Sequence, residues 1–375
     1  MPWREMDTMT LRREFVLLAQ LEESNISQLC QRFGISRKTA YKWLNRYKES
    51  GDEGLSNKSQ RPKSSPNETD SAMQAEIAAL RDLHPAWGGR KLKRRLEDLG
   101  HHDVPAASTI TDILHRHGLI DPEEAAKHTA FKRFEHPHPN CLWQMDFKGH
   151  FATGCGRCHP LTVLDDHSRF NVVLQACRNE RTDTVQAALI NAFRRYGMPD
   201  RMTMDNGSPW GNDSRHGLTP LTAWLIRLGI RISHSRPYHP QTQGKDERFH
   251  RTLNLEVITR WRFSDLKDCQ LRFDDFRTTY NMERPHEALA METPITRYKP
   301  SQRPYPEALP VIEYLPGDFV RRVQAQGEVS FKGTTFRVPK ALHGYPVAIR
   351  PTTTDGSYAV YFCHHKVKEV PLKPS

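Results

Sequence analysis

The sequence predicts a multidomain chain with helical units first, an α/β layer structure with a mixed sheet in the middle, and a small all-β unit last. The chain has 375 residues, which is too long for one ordinary domain. In its first third, apolar residues recur at helical spacing. From residue 142, three strand-like runs are followed by alternating helical and strand-like runs, and after about residue 301 only strand-like runs return.

The first predicted unit, residues 1–56, has the pattern of a helix-turn-helix. Gly34 ends a run of helical spacing, and Ser36 is suited to cap a second helix. The N-terminal end of such a second helix meets base edges in the major groove. The side chains expected there are Arg37, Lys38, Tyr41 and Lys42. A plain helical hairpin with a solvated basic face is the alternative.

The next segment, residues 57–70, is rich in Ser, Pro, Asn and Lys and is interpreted as a basic linker. A second helical unit follows over residues 71–127. We interpret it as another helix-turn-helix, in which Ser108 caps a DNA-reading helix over residues 109–117 and Thr109 contacts DNA. A small helical spacer is the alternative. Residues 128–140 are predicted to form an extended connector.

Charge and cysteine content limit the class of protein. The net charge of +11 and a pI near 9.3 favour a polyanionic partner. Nucleic acid is the first candidate, an anionic membrane surface is the second, and a basic surface kept for solubility is the bland alternative. The N-terminus lacks the apolar run of a signal peptide, and no stretch is long enough to span a bilayer. Seven cysteines fit a reducing compartment without a disulfide framework, so a cytoplasmic, nucleoid-associated protein is expected.

One cysteine motif, from Cys155 to His159, fits the C-x-x-C-H pattern of covalent haem attachment. It lies between two strand-like runs, where Gly154 and Gly156 suit a hairpin turn. No second Cys or His pair has the spacing of a zinc site. We interpret the motif as a turn, with haem attachment and zinc binding as the alternatives.

Acidic residues mark strand positions in the middle unit. Asp146 lies inside the run "WQMDF", and Asp205 ends the run "RMTMD". Functional groups gather at the carboxyl ends of strands in open sheets. A third acid from the segment "GKDERFHRTL" would complete a cluster that a divalent cation neutralises, as in Mg²⁺-dependent phosphodiester chemistry. Asp165 and Asp166 are interpreted as turn and support residues.

Two neighbouring acids, Asp246 and Glu247, compete for the third position. A helix is predicted to begin near Lys245, and residues on it advance by about 100° each. Glu247 then shares a polar face with other side chains, namely His250, Arg251 and Asn254. Asp246 points towards the apolar side and is expected to act at the helix start through the macrodipole. Lys245 and Arg251 are expected to contact DNA phosphates.

The runs "LWQMDF", "LTVLDDHSRF", "MDNGSPW", "HPQTQGKDERFHRTL" and "YNMERPHEALAMETPITRY" resemble the catalytic core of bacterial insertion-sequence transposases of the retroviral-integrase-like superfamily. The resemblance implies a ribonuclease-H-like integrase core over residues 141–300. It also implies that Asp146, Asp205 and Glu247 form a catalytic and metal-binding triad for two Mg²⁺ ions, with Mn²⁺ as a substitute.

This resemblance further implies cleavage of element ends and their transfer into target DNA, by a homodimer or higher oligomer on double-stranded DNA and without a membrane. Two departures from the family pattern stand out. Forty-one residues, 206 to 246, separate Asp205 from Glu247, which is longer than usual and is tolerable as a surface insertion. Helix-turn-helix units also occupy the place of the retroviral zinc module.

Residues 301–375 are predicted to form a small β-barrel-like domain. Its basic side chains available for phosphates are Lys332, Arg337, Lys340 and Arg350. Two other functions compete with a transposase. A catalytically inactive DNA-binding regulator would be expected to have lost a triad acid, and a simple ribonuclease-H-like nuclease would not need tandem DNA-reading units.

Overall fold

A computed structural model describes residues 7–58, 68–120, 135–211, 217–234 and 244–371. The chain divides into two compact units, Met1–Glu68 and Thr69–Ser375. Within the described ranges, every helix is too short or too polar to cross a membrane.

The first compact unit is a three-helix bundle of α1 (Thr8–Ala19), α2 (Ile26–Phe33) and α3 (Arg37–Ser50), followed by a 3₁₀ turn. Gly34 ends α2 in the left-handed region with φ of 64°, and Ser36 caps α3 by accepting the Thr39 N–H. The predicted helix-turn-helix is therefore confirmed. Its core consists of Phe15, Val16, Leu29, Cys30, Ala40, Trp43 and Leu55. Helix α1, which completes this core, is absent from the sequence-based prediction.

The second compact unit opens with three further helices, α4 (Ser71–Leu83), α5 (Gly89–Asp98) and α6 (Ala107–Arg116). The prediction that Ser108 caps α6 is wrong. The helix begins two residues earlier, at Ala107, and its N-cap residue Ala106 makes no side-chain hydrogen bond. The first turn of α6 packs closely on α5, since a Cβ at Gly89 would be 2.4 Å from the Ala107 carbonyl oxygen.

Helix α5 docks on the α/β part of the same compact unit through its basic side chains. Arg95 pairs with Glu283 at 2.5 Å, and Arg94 pairs with Glu292 at 3.3 Å. The end of α4 makes a further contact with the α/β part, because the Arg260 side chain donates a hydrogen bond to the Leu83 carbonyl at 2.8 Å. Arg94, Arg95 and Arg260 therefore contact protein.

Lys91 also lies on α5. Burial, and next the positive charge of Arg284, lower the pKa of Lys91 to about 7 from an ordinary 10.5. The unfolded chain keeps this proton up to about pH 10.5, whereas the folded chain loses it near pH 7. The unfolded state binds more protons between these values, so the contribution of Lys91 to stability rises with pH over that window.

Replacing Lys91 with Met should therefore raise the melting temperature at pH 6, and the gain should shrink by pH 9. We expect a change of a few degrees, since about 1 kcal/mol moves the melting temperature of a mid-sized domain by about 2–4 °C. Thermal unfolding at both pH values measures it. Lys93→Met is the matched control, because Lys93 pairs with Glu97 at the surface. An equal gain in melting temperature for Lys91→Met at both pH values would contradict the lowered pKa of Lys91.

The middle of the second unit is a mixed sheet of six strands, which confirms the predicted α/β layer. The strands are β1 (Trp143–Phe147), β2 (Phe151–Thr153), β3 (Gly156–Asp165), β4 (Asn171–Cys177), β5 (Arg201–Met204) and β6 (Arg231–His234). Their order is β2-β3-β1-β5-β6, with β4 also paired to β3. Strand β1 runs antiparallel to β3 and parallel to β5.

Helices cover both faces of this sheet. They are α7 (Thr182–Tyr196), α8 (Pro220–Arg227), α9 (Gly244–Leu253), α10 (Leu266–Met282) and the short α11 (Pro294–Arg297). Helices α7 and α8 pack on one face around Trp143 and Phe193. On the other face, Phe249 and Leu253 of α9 pack with α10 against β3 and β4. A π-helical turn, Asn254–Ile258, continues α9.

The Cys155–His159 motif forms part of the β2–β3 hairpin. Gly154 lies in the turn as predicted, together with Cys155, whereas Gly156, Cys158 and His159 already lie in β3. Cys158 is fully buried, and His159 Nδ1 lies 2.8 Å from Glu180 Oε1. The motif therefore supplies a turn, a core side chain and a polar pair.

The C-terminal part contains six strands, β7 (Phe319–Arg322), β8 (Glu328–Phe331), β9 (Thr334–Arg337), β10 (Pro346–Pro351), β11 (Ser357–Phe362) and β12 (His365–Pro371). They form an open sheet, β12-β11-β10-β7, and a separate β8-β9 hairpin, so closure into a barrel is not confirmed. Their core continues into α8 through Ala223 and Ile226.

Two of the basic residues expected to contact phosphates in this part are paired within the protein. Arg350 makes a bidentate pair with Asp318 at 2.8 Å, and Arg337 pairs with Glu328 at 3.0 Å. Lys332 donates to the Tyr358 hydroxyl at 2.6 Å. A phosphate contact by any of the three would therefore require it to exchange or share its present partner.

Candidate active site and DNA-reading surfaces

Asp146 and Asp205 come from neighbouring parallel strands. Trp143 pairs with Met202 and Gln144 with Thr203, and continuing this register by two residues sets Asp205 beside Asp146. Burial raises the pKa of Asp146 to about 7, and the negative charge of Asp205 is the next cause. The two carboxylates predicted from the sequence therefore repel each other at one edge of the sheet.

The turn after β5 orients the Asp205 side chain. Its Oδ1 atom accepts hydrogen bonds from the Gly207 N–H at 3.0 Å and from the Trp210 indole. A Cβ at Gly207 would lie 3.3 Å from Asp205 Oδ2, which explains the glycine at that position. Trp210 is itself buried and stacks on Phe147 with ring centroids 5.3 Å apart. The carboxylate thus has a fixed direction.

Glu247 lies in the first turn of α9 and is exposed, whereas Asp246 is buried. The charge of Glu247 also raises the pKa of Asp146, as a smaller cause than that of Asp205. The predicted helix phase is therefore confirmed. The described residues contain no group of three His, Cys, Asp or Glu side chains that is already arranged to hold a metal ion.

Asp246 differs from the simple helix-dipole role expected of it. It is 2% exposed, and its Oδ1 atom is buried without a hydrogen-bond partner among the described residues. Burial raises the pKa of Asp246 well above its ordinary value, and the charges of Asp146 and Asp166 raise it further. Burial therefore outweighs the helix dipole, which would favour the charged form.

His250 is a site residue whose role was not foreseen from the sequence. Its Nε2 atom lies 2.8 Å from Thr162 Oγ1, and the Thr162 hydroxyl donates to the Asp146 carbonyl at 3.0 Å. With the Thr162 proton donated to the Asp146 carbonyl, Nε2 is the donor to Thr162 Oγ1, and Nδ1 lies 4.0 Å from Asp146 Oδ2. Burial and then Lys148 lower the pKa of His250 to about 4, so it is neutral.

Both Asp165 and Asp166 support the site, as predicted. Asp165 accepts the Asn140 N–H at 2.7 Å and the Ser168 N–H at 2.8 Å. Asp166 binds the ammonium of Lys245, whose side chain is only 17% exposed. The structure therefore does not support a phosphate contact by Lys245, because the buried carboxylate already engages its charge.

The remaining residues predicted to contact DNA lie on α3, α6 and α9. Exposed positions on α3 are occupied by Arg37, Lys38, Tyr41 and Lys42. Arg251 is exposed on α9, one turn after Glu247, whereas Thr109 is half-buried on α6. These residues stay predictions as DNA contacts.

Comparison with protein families matches most of the chain. Integrase core domain models match residues 136–240 and 228–294, and the C-terminal domain of IS481 family transposases matches residues 318–374. A homeodomain-like domain matches residues 39–114, and a helix-turn-helix domain matches residues 11–63.

Curated relatives include viral and bacterial proteins. The Gag-Pol polyprotein of Baboon endogenous virus (strain M7) is 28% identical over 49% of this chain and 10% of its own length. The "Insertion element IS476 uncharacterized 39.2 kDa protein" of Xanthomonas euvesicatoria is 26% identical over 62% of this chain and 66% of its own. An IS407 protein of Burkholderia multivorans is 25% identical over 40% and 52%. The chain thus spans between a tenth and two thirds of these relatives.

Solved structures with some likeness include two retroviral ones. A simian T-cell lymphotropic virus intasome in complex with PP2A regulatory subunit B56 gamma aligns with a TM-score of 0.37 and 17% identity, over 79% of this chain and 96% of that one. The HTLV-2 integrase catalytic core domain in complex with magnesium (trimeric form) gives a TM-score of 0.33 and 16% identity, over 43% and 97%.

The family matches and the mixed sheet together define a protein with an integrase-like core and helix-turn-helix DNA-binding domains. Its C-terminal match to IS481 family transposases and its insertion-element relatives make it similar to insertion-sequence transposases.

Proposed function

We propose that this protein binds the ends of an insertion sequence and catalyses metal-dependent DNA strand cleavage and strand transfer. The observation that carries the proposal is the adjacent pair of carboxylates, Asp146 and Asp205, with Glu247 proposed as the third. Asp146 lies on β1, Asp205 lies beside it directly after the parallel strand β5, and Glu247 is exposed in the first turn of α9.

The donor set of this site fits Mg²⁺. Carboxylate oxygens are the ligands that Mg²⁺ prefers, and a divalent cation relieves the repulsion between Asp146 and Asp205. Asp146, Asp205 and Glu247 would hold two ions, and Mn²⁺ would substitute for Mg²⁺. When bound, such a pair activates an attacking oxygen and stabilises a leaving oxygen in phosphodiester transfer.

The protein itself contributes orientation and charge. The Gly207 N–H and the Trp210 indole fix the direction of Asp205. His250 offers a neutral acceptor nitrogen beside Asp146, suited to hold a water proton in place. Arg251 is exposed on α9 and available to a DNA phosphate. These residues would place a phosphodiester against the carboxylates.

Its partners would be double-stranded DNA of the element ends and of the target. Joining two ends requires two catalytic cores, so we propose a homodimer or higher oligomer on DNA, associated with the nucleoid. In this proposal, DNA is read by residues 1–56 and by residues 71–127. Catalysis takes place in residues 141–300, and residues 301–375 are an auxiliary DNA-binding part.

Base reading by α3 can be tested with a triple variant. Replacing Arg37, Lys38 and Lys42 with Ala should weaken binding to element ends at least about tenfold more than binding to random DNA, since a good base contact gives about 1–3 kcal/mol of discrimination. Competition binding at fixed salt measures the ratio. Replacing the exposed Lys48, at the other end of α3, is the matched control. Full preference for the ends in the triple variant would mean that α3 is not the reader.

One observation favours a second candidate function, a catalytically inactive DNA-binding regulator. The described residues hold no ready-made arrangement of three metal ligands. Such a regulator would bind element ends without cleaving them at any Mg²⁺ or Mn²⁺ concentration. Incubation of the full chain with end-bearing duplexes over a series of both ions separates the two functions.

A further inference from the structure

The Asp166 side chain forms a buried junction behind the carboxylates. It is fully buried and has three hydrogen-bond donors. The Gln144 side chain donates at 2.8 Å, the His136 N–H donates at 2.9 Å, and the Lys245 ammonium makes the third contact. The Lys245 ammonium also lies 3.4 Å from the Asp166 carbonyl oxygen.

Two of these donors, Gln144 and Lys245, each precede one of the proposed metal ligands by two residues. Gln144 precedes Asp146 by two residues on β1, so both side chains leave the same face of the sheet. Lys245 precedes Glu247 by two residues in the first turn of α9. One carboxylate therefore ties the strand that carries Asp146 to the helix that carries Glu247.

The buried setting makes this tie specific. Removing one partner of a buried ion pair leaves the other charge without compensation, which is far more costly than losing an exposed pair. Asp246 is also buried nearby, and its charge interacts with those of Asp146 and Asp166. Lys245 is thus a cation paired with acidic charge where α9 begins.

We infer that Asp166 is a positioning residue that sets the spacing of Asp146 and Glu247 by joining Gln144 on β1 to Lys245 on α9. The inference rests on the proposed function of those two carboxylates. Asp166 touches neither substrate nor metal in this role. Its loss should change how well the carboxylates share an ion, whereas α3 should continue to bind DNA.

The test uses the full chain with two variants, Asp166→Asn and Lys245→Met. Glu307→Gln is the matched control, because Glu307 and Arg194 form an exposed pair with side chains 67% and 52% exposed. Cleavage of a supercoiled plasmid is measured over a Mg²⁺ series. The Mg²⁺-induced rise in melting temperature without DNA gives a second, independent readout of ion binding.

Each variant should raise the half-saturating Mg²⁺ concentration by up to about tenfold in both readouts, because losing a direct outer-shell partner of a metal ligand costs about 10–100-fold and Asp166 acts one residue further away. The control should match the wild type. A merely structural role would lower the melting temperature and leave half-saturation unchanged. A folded Asp166→Asn protein with unchanged half-saturation would overturn the inference, and if that variant does not fold, Lys245→Met decides by the same readouts.

A third arm separates this inference from the proposed function. If Asp146→Asn keeps wild-type plasmid cleavage, the proposed function fails whatever Asp166→Asn does. If Asp146→Asn is inactive while Asp166→Asn behaves as the wild type at every Mg²⁺ concentration, only the positioning role fails.

Discussion

Asp146→Asn and Asp205→Asn should each lower strand cleavage and joining by about a thousandfold or more, while binding to element ends is retained. Loss of one preorganised charge-stabilising group typically costs about 10²–10³ in rate, and here a metal ligand would be lost as well. End binding should stay equal or strengthen slightly, because a negative charge near phosphate is removed. Single-turnover cleavage and equilibrium binding of the same duplex measure the two effects.

Asp275→Asn is the control for this pair. Asp275 is an exposed acid on α10, so the same chemical change is made away from the carboxylate cluster. Its cleavage rate should equal that of the wild type. Wild-type cleavage by Asp146→Asn would remove the carboxylates from the reaction, and loss of end binding along with cleavage would indicate a folding defect instead.

The neighbouring acids at the start of α9 should behave in opposite ways. Glu247→Gln should eliminate cleavage, with a loss comparable to that of the strand carboxylates, since Glu247 is exposed and its charge reaches Asp146. Asp246→Asn should keep most of the activity. Burial already raises the pKa of Asp246, so the neutral amide replaces a group that is costly to charge.

These two variants are compared under identical Mg²⁺ and pH, with the melting temperature as a check of folding. Glu247→Gln should melt close to the wild type, and Asp246→Asn should be no less stable. An active Glu247→Gln protein together with an inactive, folded Asp246→Asn protein would refute both the assignment of the third acid and the inferred direction of its side chain.

Patterns local in sequence predicted much of this fold. Helical phase alone separated exposed Glu247 from buried Asp246, because successive residues on a helix differ by about 100°. Likewise, Gly34 and Ser36 marked the turn and the cap of the first helix-turn-helix through their own backbone preferences. Such features depend on a few neighbouring residues.

Features that depend on distant residues escaped sequence reasoning. The first turn of α6 packs on Gly89 of another helix, and Ser108 lies inside the helix instead of capping it. From its sequence neighbours, Lys245 is expected to be a surface cation. The fold brings Asp166, 79 residues away in sequence, into contact with it. The role of His250 likewise depends on Thr162 of a separate strand. Sequence spacing contains no signal for these contacts.

Strand transfer at a metal held by carboxylates is the central claim, and one measurement tests it most directly. The full chain is incubated with duplexes carrying candidate element ends and a supercoiled target plasmid, in Mg²⁺ or in excess EDTA, and joined products are quantified. We expect joined products in Mg²⁺ and none in EDTA. Joining that persists in excess EDTA would contradict the metal mechanism, and tight end binding without joining in any divalent ion would favour the inactive regulator.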